Sequence, residues 1–542
     1  MGCTAVAVDP PAGVDTRVRV NTIGFPPGAE KRATVAADCR KFSVRDVKTG
    51  RVVFRGTVGP ASVTPKSDTD ETVHVADFSA LTTPGRYRVE VAGVGRSADF
   101  TIGTDVWNVP FIAVMRAFYL WRCGTAVAGD WNGRHYAHAA CHLDDGWLDP
   151  TGEGHVHRDG TGGWHDAGDY NKYVVNAAVT VGLLLRAWEQ YHDSLAPIGL
   201  HLPESGNGTP DLLNEVRWEL EWLFKMQRPD GRVYHKLSST DFRYWGPPED
   251  DKDPRYFSPW GTAATADMVA MMAVASRVYW PCDPAFADRC LAAARLSRAC
   301  LAARPEEVRP DLRAFHTGAY DSADATHRLW ADAEFWETTG DPVALQEFEQ
   351  HAAGFSFSWE GPSWRDVRDL ALGTYLLSRH PKPRDPGLVG RLTASLLTQA
   401  DAIAAVAKKN AYGRPLGDKP RTFFWGDNGA VAAQTYILQV ANTLHREQRY
   451  REGTLSALAY LCGRNYYGRS YVTGLGFNPP EHPHDRRGEP AWPGYLVGGP
   501  WPDGRAWHDD WRDFRTNEVA LNWNAALVYA LAGFVHPPAV RE

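Results

Sequence analysis

The sequence predicts a multidomain fold: a small all-β sandwich of immunoglobulin type, then a large all-α domain of helical hairpins arranged as an α/α barrel or stack. Three observations predict it. The chain has 542 residues, more than one ordinary domain holds. From about residue 17 to 103 it runs in short, β-branched, partly alternating segments. Beyond that point the apolar period becomes helical, and loops rich in Gly, Pro and Trp separate long segments.

The strand-like segments are VRVN, ATVAA, FSVRDVKTGRVVFRG, ETVHVADFS and GRYRVEVAGVGRSADFTI. Lys48-Thr49-Gly50-Arg51 and Thr83-Pro84-Gly85 supply turns between them. The expected sandwich covers residues 15–103. The helical domain is expected over 104–538. A first helix near Val106–Trp121 is followed by ten more periodic segments, about eleven helices in all. The clearest is PDLLNEVRWELEWLFKMQ, where Leu212, Leu213, Val216, Leu220, Leu223 and Phe224 share one face. Active sites in such folds lie in loops at one end.

Composition narrows the function. Charged residues are 23% of the chain, the formal net charge is -7, and Lys and Arg form no concentrated stripe. A nucleic-acid partner is therefore not expected. No stretch of about 18 apolar residues suggests a membrane span. The 21 Trp, 21 Tyr and 21 Phe suit a cleft that stacks on flat sugar faces. The start MGCTAVAVDPPAG lacks the basic beginning and apolar core of a signal peptide. Either the protein is intracellular as written or a secreted protein's leader has been removed. The eight cysteines follow no dense spacing and do not read as a disulfide framework. A monomer is expected.

Four constellations carry the chemistry. GTGGWHDAGDYNKYVVNAA places Asp166 and Asp169 three apart across an Ala-Gly step. As structure, Asp169 caps a helix starting near Tyr170. As chemistry, the pair orients and deprotonates a water, with Gly168 allowing the sharp turn that aims both carboxylates one way. Second, Cys123, Cys141, His142 and His165 are either buried thiols and imidazoles or a closed tetrahedral zinc site of structural role. Third, Glu518 in DFRTNEVALNWNAALVYALAGF either complements a helix dipole in its first turn or is a general acid of raised pKa. Fourth, YVTGLGFNPPEHPHDRRG is a rigid loop whose His482, His484, Arg486 and Arg487 are surface charges or donors to sugar hydroxyls.

These pieces resemble glycoside hydrolase family nine, in the branch with an N-terminal immunoglobulin-like domain. The resemblance rests on GGWHDAGDYNKYVVN, SGNGTPDLLNEVRWELEWLFKMQRPDG, HRLWADAEFWETTGD, SYVTGLGFNPPEHPHDR and NEVALNWNA, in the right order along nearly the whole chain. It implies a six-hairpin (α/α) barrel and inverting hydrolysis of β-1,4-glucosidic bonds in cellulose-type glucans or cello-oligosaccharides. It implies that Asp169 is the general base, Asp166 its helper and Glu518 the general acid. His484 and Arg486 match substrate-binding positions, and Trp425 is placed with them. Cys123, Cys141, His142 and His165 match a structural zinc site. Glu204, Asn207 and Asp211, in a loop rich in hard oxygen ligands, resemble a calcium site. No organic cofactor is implied.

Three positions depart from the family pattern. Asp485 stands where a histidine is common, and Asn522-Trp523 replace the common Asp-Tyr after the acid. Trp523 would add a stacking platform or narrow a subsite. Asp485 would place negative charge near a sugar's 2-position and favour an ammonium there. The alternatives to a glucanase are therefore an exo-β-1,4-glucosaminidase acting on chitosan oligosaccharides, a carbohydrate-binding protein without catalysis, or a lyase on acidic polysaccharides. The acidic loops speak against the lyase.

Overall fold

The computed structural model describes residues 13–354, 358–417, 421–488 and 490–537. The first domain is built from β1 Val18–Val20, β2 Gly24–Phe25, β3 Arg32–Val35, β4 Lys41–Asp46 and β5 Val52–Thr57. It continues with β6 Ser62–Val63, β7 Thr72–Asp77, β8 Gly85–Val91, β9 Gly95–Arg96 and β10 Phe100–Ile102. One sheet has the order β1-β3-β7-β6, the other β2-β10-β8-β4-β5 with β9 beside β8. In β8, Tyr87, Val89 and Val91 are buried while Arg86, Arg88 and Glu90 are not, the alternation of a sheet wet on one face. Opposite them in β4, Phe42 faces Val91 and Val44 faces Val89. Phe25, Phe78 and Phe100 fill the centre edge to face.

The helices are α1 Asn108–Leu120, α2 Val174–Leu195, α3 Asp211–Met226, α4 Thr262–Tyr279, α5 Pro284–Ala302 and α6 Ala325–Thr339. Then follow α7 Pro342–Gly354, α8 Arg368–Leu377, α9 Pro386–Lys409, α10 Asp427–Leu444, α11 Gln448–Leu461, the four-residue α12 Phe514–Asn517 and α13 Leu521–Ala532. Apart from α12 they form six hairpins. Helices α2, α4, α6, α8, α10 and α13 each pack on the next, and the ring closes between α13 and α2. An inner helix has neighbours on every side, so α4 buries every residue from Thr262 to Ser276 and is built from small and apolar residues. The outer helices bury one stripe. In α7 that stripe is only Ala344, Phe348 and Ala352, too narrow to stand out by periodicity, and this helix is absent from the eleven expected. Its local signal is Asp341 before Pro342: Asp341 Oδ1 accepts from Val343 N at 2.8 Å.

The sandwich is fastened to the barrel by Thr22 Oγ1, which donates to Cys462 O at 2.7 Å. Arg19 adds contacts to Glu71 and the Tyr412 hydroxyl. Five short strands lie in the barrel's loops: β11 Val127–Trp131, β12 Arg134–His138, β13 Lys172–Tyr173, β14 Lys236–Ser238 and β15 Tyr256–Phe257. Among the described residues every cysteine is free, and no helix is long and apolar enough to cross a membrane. Cys3 lies outside the described residues.

Candidate active site

The loops that precede inner helices carry the site. Asp166 and Asp169 come before α2, Trp245 before α4, Tyr320 before α6, Trp425 before α10 and Glu518 before α13. Consecutive inner helices are separated by one outer helix, so all these loops sit at one end of the ring. Three backbone bonds lock the segments before α2 and α13 to each other and internally. Leu521 N donates to Asp166 O at 2.9 Å, Arg486 N to Gly168 O at 3.1 Å and His484 N to Asn517 O at 2.8 Å.

Asp169 does not cap a helix: β13 intervenes and α2 starts at Val174. Its Oδ2 accepts from Asn171 Nδ2 at 2.7 Å and Tyr173 OH at 3.1 Å. Its Oδ1 has no protein donor among the described residues and is not sealed from solvent. Asp166 has both oxygens engaged, Oδ1 by Asn176 Nδ2 at 2.7 Å and Oδ2 by Tyr320 OH at 2.8 Å. Burial, with the Asp169 charge beside it, pushes Asp166 up to about 8. Gly168 is needed for a reason other than a sharp turn. Its φ is not left-handed, but a Cβ there would lie 2.4 Å from His484 O.

Glu518 likewise stands outside a helix, in extended backbone three residues before α13, so the helix-dipole role does not apply. Its Oε2 accepts from Trp425 Nε1 at 3.0 Å, and Oε1 has no protein donor among the described residues. Burial, then the charges of Asp169 and Asp166, hold the Glu518 carboxyl well above the usual glutamate range. The free oxygen is thus placed to carry a proton.

Aromatic side chains flank these groups. Trp425 is 47% exposed and meets Phe514 edge to face. Trp245 touches His484 and Trp511 at ring separations of 5.1 and 5.2 Å. Arg486 lies over Phe242 at 4.9 Å and Trp245 at 5.2 Å. His484 Nδ1–H donates to Trp511 O at 2.6 Å, which fixes the tautomer and leaves Nε2 as an acceptor. Phe242, Trp245, Trp511 and Phe514 are large and exposed, the surface expected where sugar rings stack.

Two of the substrate-site expectations need correction. Asp485 presents no charge to a sugar. It is buried and paired with Arg487, whose Nε reaches Asp485 Oδ1 at 2.9 Å and whose guanidinium also stacks on Trp492 and Tyr495. Trp523 is not an open platform. Its indole is wedged against Gly426 and Gly429, where an added Cβ would lie 2.5 and 2.2 Å from the ring. It therefore backs the segment that carries Trp425.

Behind the aspartates, Cys123, Cys141, His142 and His165 bring one donor atom each to within 4.8 Å of one another, an arrangement that could hold a metal ion. Cys123 Sγ is 3.6 Å from His142 Nδ1, and Cys141 Sγ is 3.6 Å from His165 Nε2. His142 Nε2 faces Asp251 Oδ2 at 3.3 Å, a carboxylate behind a ligand imidazole. The expected calcium site is not formed. Both Glu204 oxygens are held by Arg122 at 2.8 and 3.1 Å, so a cation already occupies that carboxylate. Asp211 Oδ2 accepts from Leu200 N and Ser205 Oγ, and Asn207 Oδ1 accepts from Thr209 N and Asn214 Nδ2. These side chains close their own loop.

The sequence reading missed Asn171, Tyr173, Asn176 and Tyr320, the donors to the two aspartates. Asn171, Tyr173 and Asn176 lie in the quoted motif and were legible there. Tyr320 is 154 residues from Asp166, and nothing local marks it. It adopts φ 45°, uncommon for a non-glycine residue and a sign that tertiary contacts hold it.

Residues 110–531 match the model of glycosyl hydrolase family 9, and residues 14–96 that of the cellulase N-terminal ig-like domain. The chain belongs to glycosyl hydrolase family 9. It is 48% identical over 532 residues to endoglucanase D of Acetivibrio thermocellus, covering 96% of this chain and 84% of that one. A xyloglucan-specific endo-β-1,4-glucanase of Bacteroides ovatus is 33% identical, over 99% of this chain and 97% of its own. The crystal structure of a metagenome-derived family 9 endoglucanase has a TM-score of 0.90 and 35% identity, covering 96% of this chain and 99% of that one. A zinc-binding triple mutant of another family 9 endoglucanase has a TM-score of 0.88 and 31% identity, covering 95% of this chain and 100% of that one. This family 9 member is a glycoside hydrolase: an immunoglobulin-like β-sandwich followed by an (α/α) six-hairpin barrel.

Proposed function

We propose that this family 9 hydrolase is an endo-β-1,4-glucanase that cleaves cellulose-type glucans and cello-oligosaccharides with inversion. The carrying observation is that, among the described residues, Asp169 and Glu518 each keep one carboxylate oxygen free of protein donors, while Asp166 keeps none. Asp169 Oδ1 takes the proton of a water, which Asp166 and its neighbours help to hold. Glu518 gives its proton to the leaving oxygen from the other side of the sugar. Inversion needs the two carboxyls roughly 6.5–9.5 Å apart, with room for that water. The named relatives support the endo assignment and the glucan backbone. The chitosan reading loses its support, because the Asp485 charge is already met by Arg487. We place the domain division between Gly103 and Thr104, where β10 closes the sandwich before α1 opens the barrel.

Proton NMR of fresh cellotetraose digests tests this. The α-anomer should appear first, and cleavage should fall at internal bonds. A β-anomer at early times would overturn inversion, and turnover of only the glucosamine tetramer would overturn the substrate.

The same reading assigns zinc to Cys123, Cys141, His142 and His165. A tetrahedron with Zn–S of about 2.3 Å and Zn–N of about 2.0 Å has S···N edges of about 3.5 Å, matching both observed edges. Four protein ligands leave no open position, so the ion would brace the loop through His165, one residue before Asp166. Chelation should lower the melting temperature first, with activity following only as the enzyme unfolds. Immediate loss of activity in enzyme that calorimetry shows to be folded would sink the structural role.

A further inference from the structure

Lys236 opens β14, the middle strand of the small sheet β13-β14-β15, and it is wholly buried. Its Nζ donates to Thr317 Oγ1 at 2.9 Å and to Gly318 O at 2.8 Å. The same ammonium lies 5.4 Å from the centre of the Tyr173 ring and 4.6 Å from that of Phe315. Tyr173 is its direct cross-strand partner, and the Tyr173 hydroxyl is a donor to Asp169. Gly318 brings its backbone against that hydroxyl: a Cβ there would lie 3.1 Å from it. Two residues further on, Tyr320 donates to Asp166, with its ring 4.7 Å from that of Tyr173. One buried cation thus bonds the loop that carries one aspartate's donor and faces the ring of the other's.

A buried lysine is costly, and a methionine would fill the same volume without a charge to desolvate. The compensation is electrostatic. Burial draws Lys236 down to about 7, and the Asp169 carboxylate opposes that fall. Of the groups packed round it, Thr317 and Ser258 are hydroxyls, Tyr173 stays protonated, and burial draws the adjoining His235 down to about 4. Lys236 is therefore a cation facing Asp169 across the Tyr173 ring.

We propose that Lys236 is a positioning residue for hydrolysis, holding the Tyr173 ring and the Tyr320 loop so that both hydroxyls stay on their aspartates. The inference rests on the reading of Asp169 as the base.

Lys236→Met and Lys236→Arg test it on cellotetraose. In Lys236→Met, kcat should fall about tenfold or more while KM stays within about threefold. Lys236→Arg keeps the charge but not the bonds to Thr317 and Gly318. It should therefore lose rate as well, with KM again within about threefold. An unchanged kcat in Lys236→Met, with only the melting temperature lowered, would overturn the proposal. Should Lys236→Met fail to fold, Lys236→Gln carries the same two expectations. Asp169→Ala assayed with added azide separates the two readings: rescue keeps Asp169 as base whatever Lys236 does, and its absence removes the base assignment instead.

Discussion

Glu518→Gln is expected to lower kcat on cellotetraose by roughly 10²–10⁴-fold, the range for loss of general-acid help. On an aryl cellobioside with a dinitrophenyl leaving group the loss should be far smaller, because that group departs without a proton. The pH profile should change too. In the proposed role Glu518 works protonated, so activity should be lost as pH rises through its pKa. Burial and the two aspartates hold that pKa well above the usual range, so the wild-type basic limb should lie above it. Glutamine does not titrate, and the limb should flatten in the variant. Equal losses on both substrates, or an unaltered basic limb, would remove Glu518 from the acid role. The contact from Trp425 Nε1 should survive the substitution, because the glutamine oxygen still accepts.

Asp169→Ala should cost a similar factor, roughly 10²–10⁴ in kcat, on natural and activated substrates alike. Every leaving group needs the water deprotonated, so good leaving groups gain nothing here. Azide is anionic and needs no base, and it fits the space of the lost carboxylate. It should restore turnover of the activated substrate and give a glycosyl azide of inverted configuration. Asp166→Ala should be rescued poorly, since both Asp166 oxygens are held by Asn176 and Tyr320 and its removal disturbs the turn itself. A variant Asp169→Ala that keeps more than about a tenth of wild-type kcat without azide would place the base elsewhere.

Much of this molecule is legible along the chain, and the limits have physical causes. The sandwich shows itself where one face of a strand is dry, as in β8, where burial alternates residue by residue. The barrel's helices show themselves where their apolar faces are broad. α7 hides because an outer helix with three buried residues has almost no pattern to read. The aspartate corner and the segment around Glu518 are local motifs, and local motifs survive in one dimension; the spread Cys/His set was read as one site through the family resemblance. Glu204 was misread for the opposite reason, whereas Asp485 meets an arginine only two residues on, which the sequence reading had counted as a sugar donor. A carboxylate's chemistry depends on which cation it meets, and Glu204 meets Arg122, 82 residues away. Trp523 was misread because its role depends on Gly426 and Gly429, which the packing of α10 against α13 brings under it.

The sequence by itself therefore determined the domain order, the helical-hairpin architecture and the chemical types gathered in the loops. These follow from period, turn chemistry and motif, all short-range along the chain. Only the tertiary structure decided which carboxylate oxygens stay free, which are already spent on arginines, and that a buried lysine stands behind the aspartate pair. Those outcomes depend on how the fold aims near partners such as Asn171 and Arg487 and on distant ones it brings across, such as Tyr320 to Asp166, Trp425 to Glu518 and Arg122 to Glu204.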